Sequence, residues 1–365
     1  MTATDEAARY HRLQLRLSAS RLALTATFLL AVLVSGAARA LADAAAAAVA
    51  SPAAQVGLVA VALGAAQAAL GAPLAWMSGF EVPRRFRLLH QPFAGWLADR
   101  AKAAALGGVV ALAAVEALYA LLRTTPRWWL AMAALTFVFS VVVTAIVPVW
   151  VLPLFYRLTP LADDALRGRL LDLAARAGVP ALGVWVADRS RKSRTANAAV
   201  VGLGRTRRIL LYDTLTASFR PEEIEAVLAH ELAHHVHGDV RRGLVVQAAL
   251  ALVIFWLADY ALRVGGRLWD LTGVGDPAGM AWLALVMLVL GLVTAPLVNG
   301  FSRFMERQAD DFAVALTRNP GGFIGAMERL ASLNLAERRP HRLKEIMLYS
   351  HPALDRRIAR ARGTA

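Results

Sequence analysis

Apolar residues in this chain fall in long blocks, not at the spacing of surface helices. A helix that crosses a bilayer needs about 20 mainly apolar residues. Six segments meet that requirement, roughly 22–48, 56–79, 101–122, 128–155, 241–263 and 278–300. The first is too long for a signal peptide and no polar mature domain follows it, so it reads as a span. The third carries Glu116 and the fifth Asp259. An acid inside a span faces a protein interior or a water-filled cavity, unless it sits at a helix end.

Between the blocks the period changes. LADDALRGRLLDLAARAG, residues 161–178, repeats apolar positions near 3.6 and stops at Gly178, the pattern of a helix with its terminator. GVWVAD, AAVVGLG and RILLYD are short strand-like runs, and Gly204-Arg205-Thr206-Arg207 between the last two suits a hairpin. Pro221-Glu222-Glu223 opens a further helix, with proline early and acids in the first turn. The expected division is a four-span region, 1–155, and a catalytic segment, 156–240. Two more spans follow, 241–300, and then a second soluble segment, 301–365.

Composition supports the membrane reading. Of 365 residues, 58% are hydrophobic and 18% charged, against about 45–50% and 25% in soluble domains. Cysteine is absent. That excludes disulfides, thiolate ligands and a cysteine nucleophile, and leaves the redox compartment open. The net charge of +14 reads as a bias of cytoplasmic loops, not as a nucleic-acid surface. Arg9, Arg12, Arg16 and Arg21 precede the first span, the 43–55 loop has no basic residue, and Arg84, Arg85, Arg87 and Arg100 lie in the 80–100 loop. Both termini and both soluble segments are then expected on the cytoplasmic side of a cell membrane. Arg123, Arg127, Arg263 and Arg267 fall on the other side, against the bias.

The chemistry concentrates in LAHELAHHVHGD, residues 228–239, which holds four of the eight histidines. His230 and His234 are four apart on a helix and present two imidazoles to one point, as Zn²⁺ requires. Glu231 between them suits a general base acting on water. His235 and His237 point away from that face and read as incidental. Catalytic zinc takes three protein ligands and an open fourth position. Glu306 is the candidate third ligand, four residues before Asp310 on a helix that continues out of the last span. Asp310 is placed to orient a ligand histidine. The blander alternatives are a polar helix with chance histidines and a solvated acidic turn.

H-E-x-x-H, then membrane spans, then E-x-x-A-D resembles the integral-membrane zinc metalloproteases of the CAAX prenyl protease 1 type, related to the HtpX proteases. IVPVWVLPLFYRLTPL, RTANAAVVGLGRTRRILLYDTL and YSHPALDRRI resemble further family elements, and the similarity runs from about 80 to 360. The composition suits a bacterial member. The resemblance implies a mainly α, polytopic fold: a helical barrel around a water-filled chamber, with an α+β zincin-like catalytic domain. It implies His230, His234 and Glu306 as ligands of one zinc per chain, Glu231 as catalytic acid/base and Asp310 as orienter. It also places Asn197 beside the substrate, with His351 and Arg357 reaching the cleft. Six spans are expected where eukaryotic members have seven, Ala196 stands where close relatives carry serine, and the His-Gly-Asp ending is more like HtpX.

The expected activity is zinc-dependent endopeptidase cleavage of peptides or membrane-associated proteins at the cytoplasmic face. The partners are substrate and bilayer, not nucleic acid, and oligomeric state is left open. The alternative is a transporter-like or lipid-handling chamber protein. It gives no reason for Glu231.

Overall fold

The structure is a computed structural model and describes residues 3–202 and 207–363. The N-terminal part runs α1 (Ala3–Val34), α2 (Ala37–Ala48), α3 (Pro52–Trp76), α4 (Val82–Arg85), α5 (Phe93–Thr124) and α6 (Trp128–Ile146). A mixed α/β segment follows: β1 (Leu158–Pro160), α7 (Asp164–Arg176), β2 (Val184–Ala187), β3 (Ala198–Val201), β4 (Arg208–Tyr212), α8 (Asp213–Ser218) and α9 (Pro221–Val236). Two long helices, α10 (Asp239–Leu268) and α11 (Met280–Thr317), return through the bundle, and α12 (Pro320–Asn334), α13 (Arg342–Leu348) and α14 (Leu354–Gly363) close the chain.

Among the described residues six helical stretches are long and apolar enough to cross a membrane: 5–34, 52–85, 93–124, 128–146, 239–268 and 277–317. The six expected blocks correspond to these, with two adjustments. The first block is not one helix. The chain breaks at Gly36, whose φ of +76° is open to glycine and costly for other residues, and the alanine-rich remainder becomes the separate α2. The fourth block stays α-helical only to Ile146, then widens into a π-turn (Val147–Val151) and tightens into a 3₁₀ turn (Leu152–Leu154).

Of the two acids inside the spans, Asp259 is held by partners. Asp259 accepts from Trp128 Nε1 at 2.7 Å and pairs with Arg263 at 2.9 Å. The Glu116 carboxylate lies against Gly57, where a Cβ would come within 3.1 Å of it.

The sheet has the order β1-β2-β4-β3. β2 and β4 run parallel, while β1 and β3 pair antiparallel at the two edges. The expected β3–β4 pair is there; residues 204–206 of its connection lie outside the described residues. β1 was not expected. Leu170, Leu173, Ile209, Leu211, Leu228 and Leu232 are fully buried between α7, the sheet and α9. That cluster continues into α11 and α12 through Ala313 and Phe323, so the two soluble segments share one core.

Polar contacts fix this unit to the bundle. The buried Lys192 pairs with Asp99 at the start of α5. Ser193 Oγ donates to Leu88 O at 2.6 Å, and His90 N donates to Lys192 O at 2.9 Å. His11 of α1 donates to Leu335 O at 2.9 Å. The start of α1, the 80–100 loop and both soluble segments therefore lie on the same side of the bundle.

A candidate metal centre between α9 and α11

Helix α9 begins at Pro221, with Glu223 accepting from the Arg220 backbone N–H at 2.9 Å. Its apolar residues Ile224, Val227, Leu228 and Leu232 are buried in the shared core. That burial fixes the rotation of the helix and turns His230 and His234 toward α11. Their rings sit 5.0 Å apart, edge to face. From α11, Glu306 comes between them. Its Oε2 is 3.3 Å from His230 Nε2 and its Oε1 is 3.6 Å from His234 Nε2.

One ligand atom from each of His230, His234 and Glu306 lies within 4.8 Å of the others. Ligands about 2.0–2.1 Å from a tetrahedral zinc are separated by roughly 3.3 Å, close to the two histidine–glutamate distances of 3.3 and 3.6 Å. Glu306 Oε2 is buried and has no hydrogen-bond partner among the described residues. A buried carboxylate oxygen without a partner is costly, and a cation at this point removes that cost. Burial works against a charged His230, but Asp310 and Glu306 outweigh it and hold the imidazole up at about 9. The pocket favours positive charge, and its two-nitrogen, one-carboxylate donor set suits zinc.

Each ligand imidazole faces an acid with its other nitrogen. His230 Nδ1 is 2.9 Å from Asp310 Oδ1, and His234 Nδ1 donates to Asp239 Oδ2 at 2.8 Å. Both Nε2 atoms are thereby directed at the metal position. Sequence reasoning singled out Asp310 and gave Asp239 no such role. The local signal was the Gly238-Asp239 pair. Gly238 takes a φ of +67°, which reverses the chain after α9 and brings the first residue of α10 back against His234.

Arg357 of α14 grips Asp310 with two donors, Nε to Oδ2 at 2.8 Å and Nη2 to Oδ1 at 2.6 Å. Its Nη2 is also 3.9 Å from Glu306 Oε2. His351 stands over Glu306, with Nε2 3.2 Å from Oε1, and Ser350 Oγ lies 2.9 Å from its Nδ1. Partial desolvation in the cleft, with Arg357 adding to it, pulls His351 below the usual imidazole value. Burial raises Glu231 above the usual carboxylate range, against the pull of His230 and His234. Asn197 is exposed immediately before β3, and its carbonyl accepts from Tyr212 N at 3.0 Å.

His235 points away from the metal position, as expected, and its Nε2 donates to Val200 O on β3 at 3.0 Å. His237 lies edge-on to Phe312 at 5.6 Å.

Comparison with known proteins bears on this geometry. The model of peptidase family M48 matches residues 160–365. The chain belongs to that family. The N-terminal CAAX prenyl protease model, described as five membrane helices, matches residues 2–157 of the same M48 chain; here those residues hold four of the long apolar helices and the 12-residue α2. An uncharacterized metalloprotease, YhfN of Bacillus subtilis, is 31% identical over 294 residues, covering 79% of this chain and 69% of its own. CAAX prenyl protease 1 of Saccharomyces cerevisiae is 30% identical over 314 residues, covering 78% and 67%. The crystal structure of S. mikatae Ste24p superposes with a TM-score of 0.78 at 25% identity, covering 86% of this chain and 77% of that one. This M48 member is accordingly a multi-pass membrane zinc metalloprotease that acts on peptide or protein substrates.

Proposed function

We propose that the chain is an endopeptidase holding one zinc between His230, His234 and Glu306, with Glu231 as the base. The observation that carries this is the convergence of those three side chains, from helices far apart in sequence, beside Glu231. Bound zinc supplies a Lewis acid that polarises the scissile carbonyl and acidifies water. The chain's own residues do the rest. Glu231 takes a proton from the attacking water as the new C–O bond forms, then delivers it to the amine as the C–N bond breaks. His351 donates from Nε2 to the oxygen that gains charge. Arg357 and Asp310 form a rigid pair that holds His230, and Asp239 holds His234; these are positioning residues.

β3 is a sheet edge that packs against α9. An extended peptide adds to such an edge through its backbone and so needs no fixed side-chain sequence. Asn197, exposed at the head of β3, supplies a side-chain amide to the same peptide. The proposed substrates are peptides or membrane-associated proteins presented at the cytoplasmic face, the side that the positive-inside bias assigns to the arginine-rich loops. The four-part division of the chain at 155, 240 and 300 belongs to the same reading.

Glu231→Gln tests the mechanism. Turnover of a quenched fluorescent peptide should fall by about 100- to 10,000-fold with zinc content unchanged. Activity within a few-fold of the parent protein removes Glu231 as the base.

A further inference from the structure

Antiparallel pairing alternates along a strand. Residues whose N–H and C=O face the partner strand alternate with residues whose groups face away. Tyr212 N donates to Asn197 O, and Asn197 stands opposite Tyr212 when the β3–β4 register is continued by one residue. Asn197, Ala199 and Val201 therefore turn their backbone groups toward β4. Ala196, Ala198 and Val200 turn theirs to the open edge.

Two of these outward positions are already taken by side chains. At Ala196, the Asn334 side chain accepts from the N–H with Oδ1 at 2.9 Å and donates to the C=O with Nδ2 at 3.1 Å. That is the pair of bonds a residue of an added strand makes. At Val200, His235 Nε2 donates to the C=O at 3.0 Å. Between them, no described residue bonds the Ala198 N–H, the Ala198 C=O or the Val200 N–H. Among the described residues, the edge therefore offers one carbonyl without a partner, that of Ala198.

We propose that Asn334 and His235 frame the β3 edge, so that a substrate backbone pairs fully with Ala198 alone, and that His235 sets the register of cleavage. This rests on the reading of β3 as the substrate-binding edge. A strand running past the frame displaces His235 from Val200 or Asn334 from Ala196. One fully paired residue is a short grip. It suits substrates held mainly by something else, such as their own attachment to the membrane. His235 directly follows the zinc ligand His234, so the point where pairing stops is tied rigidly to the metal. The bond to be cut is then counted from His235.

The test uses the full-length, zinc-loaded Glu231→Gln protein, which binds peptide without cutting it. The probe is a fluorescent ten-residue peptide and a set of derivatives, each methylated at one backbone nitrogen. Dissociation constants come from fluorescence anisotropy, and zinc content is measured for every variant. The edge has one free carbonyl, so a single N-methyl position should weaken binding, by roughly five- to tenfold. Adding His235→Ala should make a second position sensitive, two residues from the first, because Val200 O becomes free. Adding His235→Gln, which keeps a side-chain N–H, should leave a single sensitive position. Two sensitive positions spaced by two in the protein with His235 intact overturn the frame, whether or not the alanine variant folds. A folded His235→Ala protein with zinc bound and still one sensitive position overturns it as well. If no position is sensitive, the reading of β3 as the substrate edge fails instead.

Discussion

At the scale of single residues, the centre works through pairs. The imidazoles of His230 and His234 each turn Nδ1 toward a carboxylate, Asp310 and Asp239, and Asp310 is held in turn by Arg357. Such outer partners commonly change metal affinity by about 10- to 100-fold when removed. Asp239→Asn leaves the size of the side chain unchanged and removes its charge. It should weaken zinc binding by about that factor in a competition titration with a chelator, and lower activity only at limiting zinc. An unchanged affinity would mean that the His234–Asp239 bond contributes nothing to the metal site. His230, Glu231, His234 and Glu306 were legible in the sequence because helical spacing and residue chemistry coincide there. Asp239 was not, since its role depends on a left-handed turn at Gly238. His235 was set aside because its partner is a backbone carbonyl, and side-chain patterns carry no record of one.

At the scale of elements, long apolar blocks were read directly, because spanning a bilayer constrains length and composition together. Where a block divides was less visible. Residues 22–48 are mainly apolar, with Arg39 and Asp43 as the charged exceptions, and the break between α1 and α2 falls at Gly36, where φ is +76°. β2, β3 and β4 announce themselves by runs of valine, isoleucine and leucine. β1, the three residues Leu158-Thr159-Pro160, is too short to show a period and ends in a proline, which an edge strand tolerates. Helix packing supplies a test on the side of the bundle opposite the metal centre. Gly265, in the last turn of α10, is buried, and a Cβ there would come within 2.2 Å of Trp282 Nε1. That indole nitrogen donates to Ala261 O at 2.8 Å. Gly265→Ala must displace the ring and break the bond, so it should destabilise the protein by about 1–3 kcal/mol. The measurement is the melting temperature in detergent, which should fall while zinc content in the folded fraction stays the same. An unchanged melting temperature would show that α10 and α11 part easily at this crossing.

At the scale of the whole molecule, the membrane passes and the catalytic unit depend on each other. His230 precedes two spans and Glu306 follows them, so the centre exists only if an even number of crossings returns the chain to the same side. The contacts of His11 with Leu335 and of Leu88 with Ser193 put the N-terminal helix and the 80–100 loop on that side as well. Reporter tags at residue 1, in the 80–100 loop and at residue 365 should therefore all read cytoplasmic, and a tag near residue 274 should read the opposite side. A C-terminus found outside would contradict the arrangement. The claim on which everything rests is that ligands from α9 and α11 share one zinc. Elemental analysis of purified protein after dialysis tests it most directly, comparing the unaltered chain with Glu306→Ala. One zinc per chain, falling well below that when Glu306 is removed because two imidazoles alone hold the metal poorly, is the predicted result. Full zinc retained by Glu306→Ala would contradict the account, since the third ligand would then lie elsewhere.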